Sequence, residues 1–185
     1  ELTGDISASI QLKKENDFSN PSCNIDFELE DATYNSKSYP FSLSEIYTTG
    51  NFSNGSGRDL NSSIIKFENF KSSKKNGKIT GELTVSNFNN LWAEANLYSS
   101  WELNELNDFI SDSPFQNLKG EINGDTYYKG KISFDDNMSK YFAQSVHSAD
   151  INLKNVYFNY NKSPLEFTAE DLGCKIENHN IFIKD

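Results

Sequence analysis

One pattern of residues occurs twice in this chain, 124 positions apart, and that repetition limits the folds open to it. The first copy reads Ile25-Asp26-Phe27-Glu28-Leu29-Glu30-Asp31-Ala32-Thr33-Tyr34-Asn35 and resumes at Pro40-Phe41-Ser42-Leu43. The second reads Ala149-Asp150-Ile151-Asn152-Leu153-Lys154-Asn155-Val156-Tyr157-Phe158-Asn159 and resumes at Pro164-Leu165-Glu166-Phe167. Asp26/Asp150, Leu29/Leu153, Asn35/Asn159 and Pro40/Pro164 are identical. Phe27/Ile151, Ala32/Val156, Tyr34/Phe158, Phe41/Leu165 and Leu43/Phe167 stay apolar. Repetition of this kind marks an architecture that adds similar units along one axis, and it argues against a single closed active site. Residues 1–185 are therefore expected to be one fragment of a longer repetitive array, with 25–43 repeated as 149–167.

The units are strands. Ile6, Ala8, Ile10 and Leu12 alternate with Asp5, Ser7, Ser9 and Gln11; Ile25, Phe27 and Leu29 alternate with Asp26, Glu28 and Glu30. Ile79, Gly81, Leu83 and Val85 alternate with Thr80, Glu82 and Thr84. Period two is the mark of a strand with one apolar face. Turn clusters such as Asn54-Gly55-Ser56-Gly57 and Lys74-Lys75-Asn76-Gly77 separate the runs. Together they predict a mainly β chain, an antiparallel meander of about a dozen strands. One segment breaks the alternation. Trp101, Leu103, Leu106, Phe109 and Ile110 follow helical spacing, Ser99 and Glu102 match a capping box, and Pro114 ends the run. A short helix is expected over 100–112, as a plug or a lid.

A meander with one apolar face must close into a barrel, stack on a second sheet, or stay open as a curled trough. Hydrophobic residues make up only 36% of the chain and mean hydropathy is −0.67, a thin supply for a closed core. That favours an open, curled and twisted β-groove. Its apolar face would hold acyl chains, each buried methylene contributing about 0.8 kcal/mol. The residues placed against lipid are Ile10, Phe27, Leu29, Leu83, Val85, Ile122, Ile132, Phe134, Ile151 and Leu153.

Nothing in the sequence points to catalysis. The histidines, His147 and His179, lie in polar surroundings, and no HExxH, GxSxG or glycine-rich phosphate loop occurs. Glu28/Glu30/Asp31, Asp135/Asp136 and Glu170/Asp171 read as solvated polar faces ahead of a calcium site or an acid–base pair. Lys71, Lys74 and Lys75 read as a solvated turn. A net charge of −10 disfavours nucleic acid. Cys23 and Cys174 either bridge or stay as free thiols, the plainer reading. No catalytic residue, metal ligand or cofactor is expected.

The ordered series of segments resembles the AsmA-like family of bacterial envelope proteins, in the form carried by Bacteroidota and related to TamB-like and bridge-like lipid transfer proteins. The resemblance rests on the two copies above, on Leu60-Asn61-Ser62-Ser63-Ile64-Ile65-Lys66-Phe67 and on Asn76-Gly77-Lys78-Ile79-Thr80-Gly81-Glu82-Leu83-Thr84-Val85 leading to Asn87-Phe88. It also rests on Leu118-Lys119-Gly120-Glu121-Ile122-Asn123-Gly124. It implies a long non-enzymatic β-groove in the periplasm that binds phospholipid acyl chains for intermembrane transport and outer-membrane homeostasis. An inner-membrane anchor would lie outside this segment. The alternative is a secreted β-sandwich that closes its apolar face and binds a glycan or an envelope protein through Tyr127, Tyr128, Tyr157 and Tyr160.

Overall fold

The structure, a computed structural model, describes residues 1–16, 19–35, 42–108, 115–133, 138–160 and 166–184. Phe134, Asp135, Asp136, the 109–112 part of the expected helix, and Pro40 and Pro164 of the repeat lie outside the described residues.

Ten strands form one antiparallel sheet in chain order. They are β1 (Leu2–Lys13), β2 (Ser22–Asn35), β3 (Ser42–Ser53), β4 (Ile64–Lys74) and β5 (Gly77–Ser86). β6 (Trp92–Glu102), β7 (Phe115–Lys131), β8 (Val146–Tyr160), β9 (Glu166–Glu177) and β10 (Asn180–Lys184) complete it. Each strand pairs only with its sequence neighbours, β1 and β10 are the two edges, and the sheet does not close into a barrel. The open meander expected from the alternation is what forms, with ten strands among the described residues against the dozen or so expected. No second sheet stacks on it among the described residues, so the two-sheet sandwich is not the architecture.

The two sequence copies occupy equivalent hairpins. Adding 124 to the bounds of β3 gives those of β9, and β2 maps onto β8 to within one residue at its end. Register follows as well. Ile25↔Phe52, Phe27↔Gly50, Leu29↔Thr48 and Tyr34↔Leu43 become Ala149↔Ile176, Ile151↔Cys174, Leu153↔Leu172 and Phe158↔Phe167. Asp31 and Asn155, also 124 apart, both take positive φ (47° and 51°). Each lies next to a buried apolar residue, Ala32 or Val156. Across the ladder stand Gly4 and Gly120, also at positive φ (144° and 109°). A Cβ on Gly4 would sit 2.5 Å from Ala32 Cα, and one on Gly120 would sit 2.5 Å from Lys154 O. These irregularities are β-bulges, which bend a strand and increase its twist. Further breaks in register fall in β3–β4, β4–β5 and β7–β8.

A one-sheet molecule encloses little. The buried apolar side chains among the described residues are Ala32, Ile46, Ala93, Ala95, Trp101, Leu103 and Val156. Exposed surface is 12185 Å², against about 9,000 Å² for a compact protein of 21.0 kDa.

The helix expected over 100–112 forms as a 3-10 segment, Leu103–Asp108. Residues 100–102 belong to β6, because Lys78↔Ser100 and Trp101↔Ile122 continue the ladders on both sides. Ser99 and Glu102 are thus strand residues and do not cap a helix. An α-helix, α1 (Met138–Gln144), lies between β7 and β8.

Candidate functional site

Residues directly opposite in antiparallel strands share a face of the sheet. Following the registers therefore traces each face across all the strands. One row runs Ile10, Ile25, Phe52, Ile65, Val85, Ala93. Below it run Ala8, Phe27, Gly50, Phe67, Leu83, Ala95, Tyr128 and His147. Further rows hold Gly81, Leu97, Thr126, Ala149, Ile176 and Ile181, then Ile79, Ser99, Gly124, Ile151, Cys174 and Ile183. Trp101, Ile122, Leu153 and Leu172 close the series. The opposite face carries the intervening residues, such as Ser9, Asp26, Asn51, Lys66 and Thr84 in one row.

Eight of the ten residues expected to meet lipid stand on this one apolar face: Ile10, Phe27, Leu29, Leu83, Val85, Ile122, Ile151 and Leu153. Ile132 stands just past the end of β7, its N–H donating to Leu91 O at 3.0 Å. Phe134 is outside the described residues. Seven of the eight are half-buried and Ile10, on the edge strand, is 62% exposed. Phe27 meets Phe67 edge-on at 5.7 Å, with Gly50 between them leaving room for the ring. Both edges of the face are bare: Ile6, Leu12, Ile181 and Ile183 are each about two thirds exposed.

Two short helical segments cover opposite ends of the face. At one end Trp101 is buried over Gly77, where a Cβ would come 2.1 Å from the indole, and Leu103 of the 3-10 segment is buried beside it. Glu105 of that segment accepts the Asn76 N–H at 3.1 Å. At the other end Phe142 of α1 stacks on His147 (4.3 Å) and on Tyr128 (6.2 Å), both on the apolar face. His179 meets His147 edge-on at 4.7 Å. Ser145 donates its hydroxyl to Phe142 O at 2.7 Å, so its oxygen accepts Nδ1–H of His147 at 3.0 Å. A carbonyl only accepts, so His179 donates Nε2–H to Ala143 O at 3.1 Å. The histidines, expected in polar surroundings, thus meet at α1, and His147 is buried. Periodicity could not show this, because α1 has seven residues, barely two turns.

The polar face is laced by cross-strand pairs. Lys129 Nζ lies 2.9 Å from Glu94 Oε2 and Tyr127 donates to Glu94 Oε1 at 3.1 Å. The hydrogen bond from Lys129, then that from Tyr127, holds the Glu94 carboxyl below its ordinary range. Tyr47 donates to Glu28 at 2.9 Å, and this bond to a carboxylate raises the phenol. Lys74 is buried at the end of β4, not solvated as the turn reading had it; Lys71 is exposed and leans over the Tyr47 ring at 5.9 Å. Tyr127 and Tyr128 point to opposite faces, so the four tyrosines of the sandwich reading form no single platform. Cys23 on β2 and Cys174 on β9 are free thiols with six strands between them.

No family model, curated protein or solved structure matches the chain.

Proposed function

We propose that this chain is a non-enzymatic lipid-binding segment whose apolar sheet face holds phospholipid acyl chains. The observation that carries the reading is the continuity of that face, which runs from β1 to β10 and is left half-exposed. An apolar patch of this extent on a soluble surface marks a site for an apolar partner. An acyl chain lying across the strands would be held by burial alone, at about 0.8 kcal/mol per methylene, and could slide without breaking a polar contact. The repeated hairpins support an array along which such a surface extends. Taken with the AsmA-like resemblance, the reading is of a protein of the bacterial periplasm, anchored to the inner membrane by a segment beyond these residues. Its role there is phospholipid traffic and outer-membrane homeostasis.

A photo-crosslinking amino acid tests the reading. It is introduced singly at Val85 or Ile151 on the apolar face, and at Lys66 or Asn152 on the polar face. The folded variants are irradiated with radiolabelled phosphatidylethanolamine. Adducts at Val85 and Ile151 but not at Lys66 and Asn152 support the proposal. No adduct at any position, or equal yield on both faces, refutes it.

A further inference from the structure

A hollow of about 600 Å³ lies on the polar face of the sheet. It crosses β4 to β9. One cross-strand row forms its floor: Lys71, Thr80, Tyr98, Asp125, Asp150 and Lys175. Asn96 and Tyr127 face each other in the adjacent row, which puts Tyr127 diagonal to Tyr98.

The charges around the hollow are largely spoken for. Lys184 binds both oxygens of Asp150, at 2.9 and 2.7 Å, and Lys175 pairs with Glu177. Tyr98 and Asp125, directly opposite one another, are different. Among the described residues neither side chain makes a hydrogen bond, an ion pair or a ring contact, and Tyr98 is 43% exposed. An aromatic face therefore stands beside a free carboxylate acceptor, with the Asn96 amide and the Thr80 hydroxyl next to them.

This pairing is not imposed by the sheet. β1 stands to β2 as β7 stands to β8: Ile10↔Ile25 and Ala8↔Phe27 match Thr126↔Ala149 and Gly124↔Ile151. Ser9 then occupies the place of Asp125 and Gln11 that of Tyr127. Tyr98 and Asp125 also sit on regular ladders, since β5–β6 and β6–β7 run without a bulge. Side chains on regular strands are held in place before a ligand arrives.

The chemistry selects the ligand. An anion such as a phosphate would meet Glu82, Asp125 and Asp150, while Lys175 pairs with Glu177 and Lys71, at the rim, leans over the Tyr47 ring. A neutral polyol meets no such conflict. The apolar C–H face of a sugar ring lies on a tyrosine ring, and adjacent hydroxyls donate to the two oxygens of a carboxylate. We propose that this hollow is a carbohydrate-binding subsite in which Tyr98 stacks on, and Asp125 accepts hydrogen bonds from, one neutral sugar ring. It lies on the face opposite the lipid-binding surface and does not depend on that surface.

Isothermal titration calorimetry with three neutral hexasaccharides (cellohexaose, chitohexaose and mannohexaose) tests the proposal. At least one is expected to bind, and Tyr98→Ala and Asp125→Ala are each expected to weaken it about tenfold or more. Both variants should retain the wild-type circular dichroism spectrum, since both residues are exposed. Tyr157→Ala, whose ring carries Lys119 at 5.6 Å away from the hollow, should bind as wild type. Failure of all three sugars to bind overturns the proposal. So does binding that the folded Tyr98→Ala and Asp125→Ala variants leave unchanged.

Discussion

Replacing Leu83 by aspartate puts a charge at the middle of the apolar face, between Phe67 on β4 and Ala95 on β6. Leu83 is half-buried, and both its ladder partners belong to the same sheet. Full burial of a leucine is worth about 1.5–3 kcal/mol, so the half realised here is worth about 1 kcal/mol. The poorer strand preference of aspartate adds up to about 1 kcal/mol. The carboxylate still reaches water on an uncovered face, so no desolvated charge is created. The expected loss is about 1–2 kcal/mol, or roughly 2–8 °C in Tm for a chain of this size. A closed core predicts something different: an unpaired charge buried there costs about 4 kcal/mol or more. Thermal melts followed by circular dichroism separate the two. A cooperative transition a few degrees below wild type, with phospholipid binding abolished, is the expected result. A variant with no cooperative transition would show that the face is enclosed, and the lipid reading would fall with it.

Three further outcomes follow from particular contacts. Gly77→Ala drives a Cβ into the Trp101 indole at 2.1 Å and should destabilise by about 1–3 kcal/mol, read by urea denaturation. Phe142→Ala removes the ring that fastens α1 over His147 and Tyr128; hydrogen exchange should speed up in 138–145 while β4 and β5 stay protected. Asp59 accepts the backbone N–H of Ser62 and then its hydroxyl, each at 2.9 Å, which holds its carboxyl below the ordinary aspartate range. Its stabilisation is complete above the unfolded-state value and is lost as pH falls through the lower folded one. An NMR titration should find a lower midpoint for Asp59 in the folded protein than in the chain unfolded by urea.

The alternation in the sequence was enough to identify the sheet, because a strand open on one side displays its apolar and polar faces as period two. Ile6 through Leu12 and Ile79 through Val85 form strands where that pattern appears. The helix near 100 misled for a physical reason. Trp101 and Leu103 fit both a helical stripe and a strand's alternation, and pairing with β5 and β7 decides for the strand up to Glu102. Bulges were hidden because Asp31, Asn69 and Asn155 look like ordinary polar strand residues. Only the ladder reveals their positive φ. The polar hollow was hidden too, since Tyr98 and Asp125 are 27 positions apart and meet only through the β6–β7 register. The apolar residues stand out in the sequence by their period, whereas nothing in the intervening polar residues separates a site from solvated surface.

Native mass spectrometry of the purified protein, with lipid extraction from the same sample, reads out acyl-chain binding itself. Phospholipid should co-purify with the wild type and be lost in the folded Leu83→Asp variant. A wild-type protein that carries no phospholipid and takes up none when it is added would contradict the lipid-binding proposal.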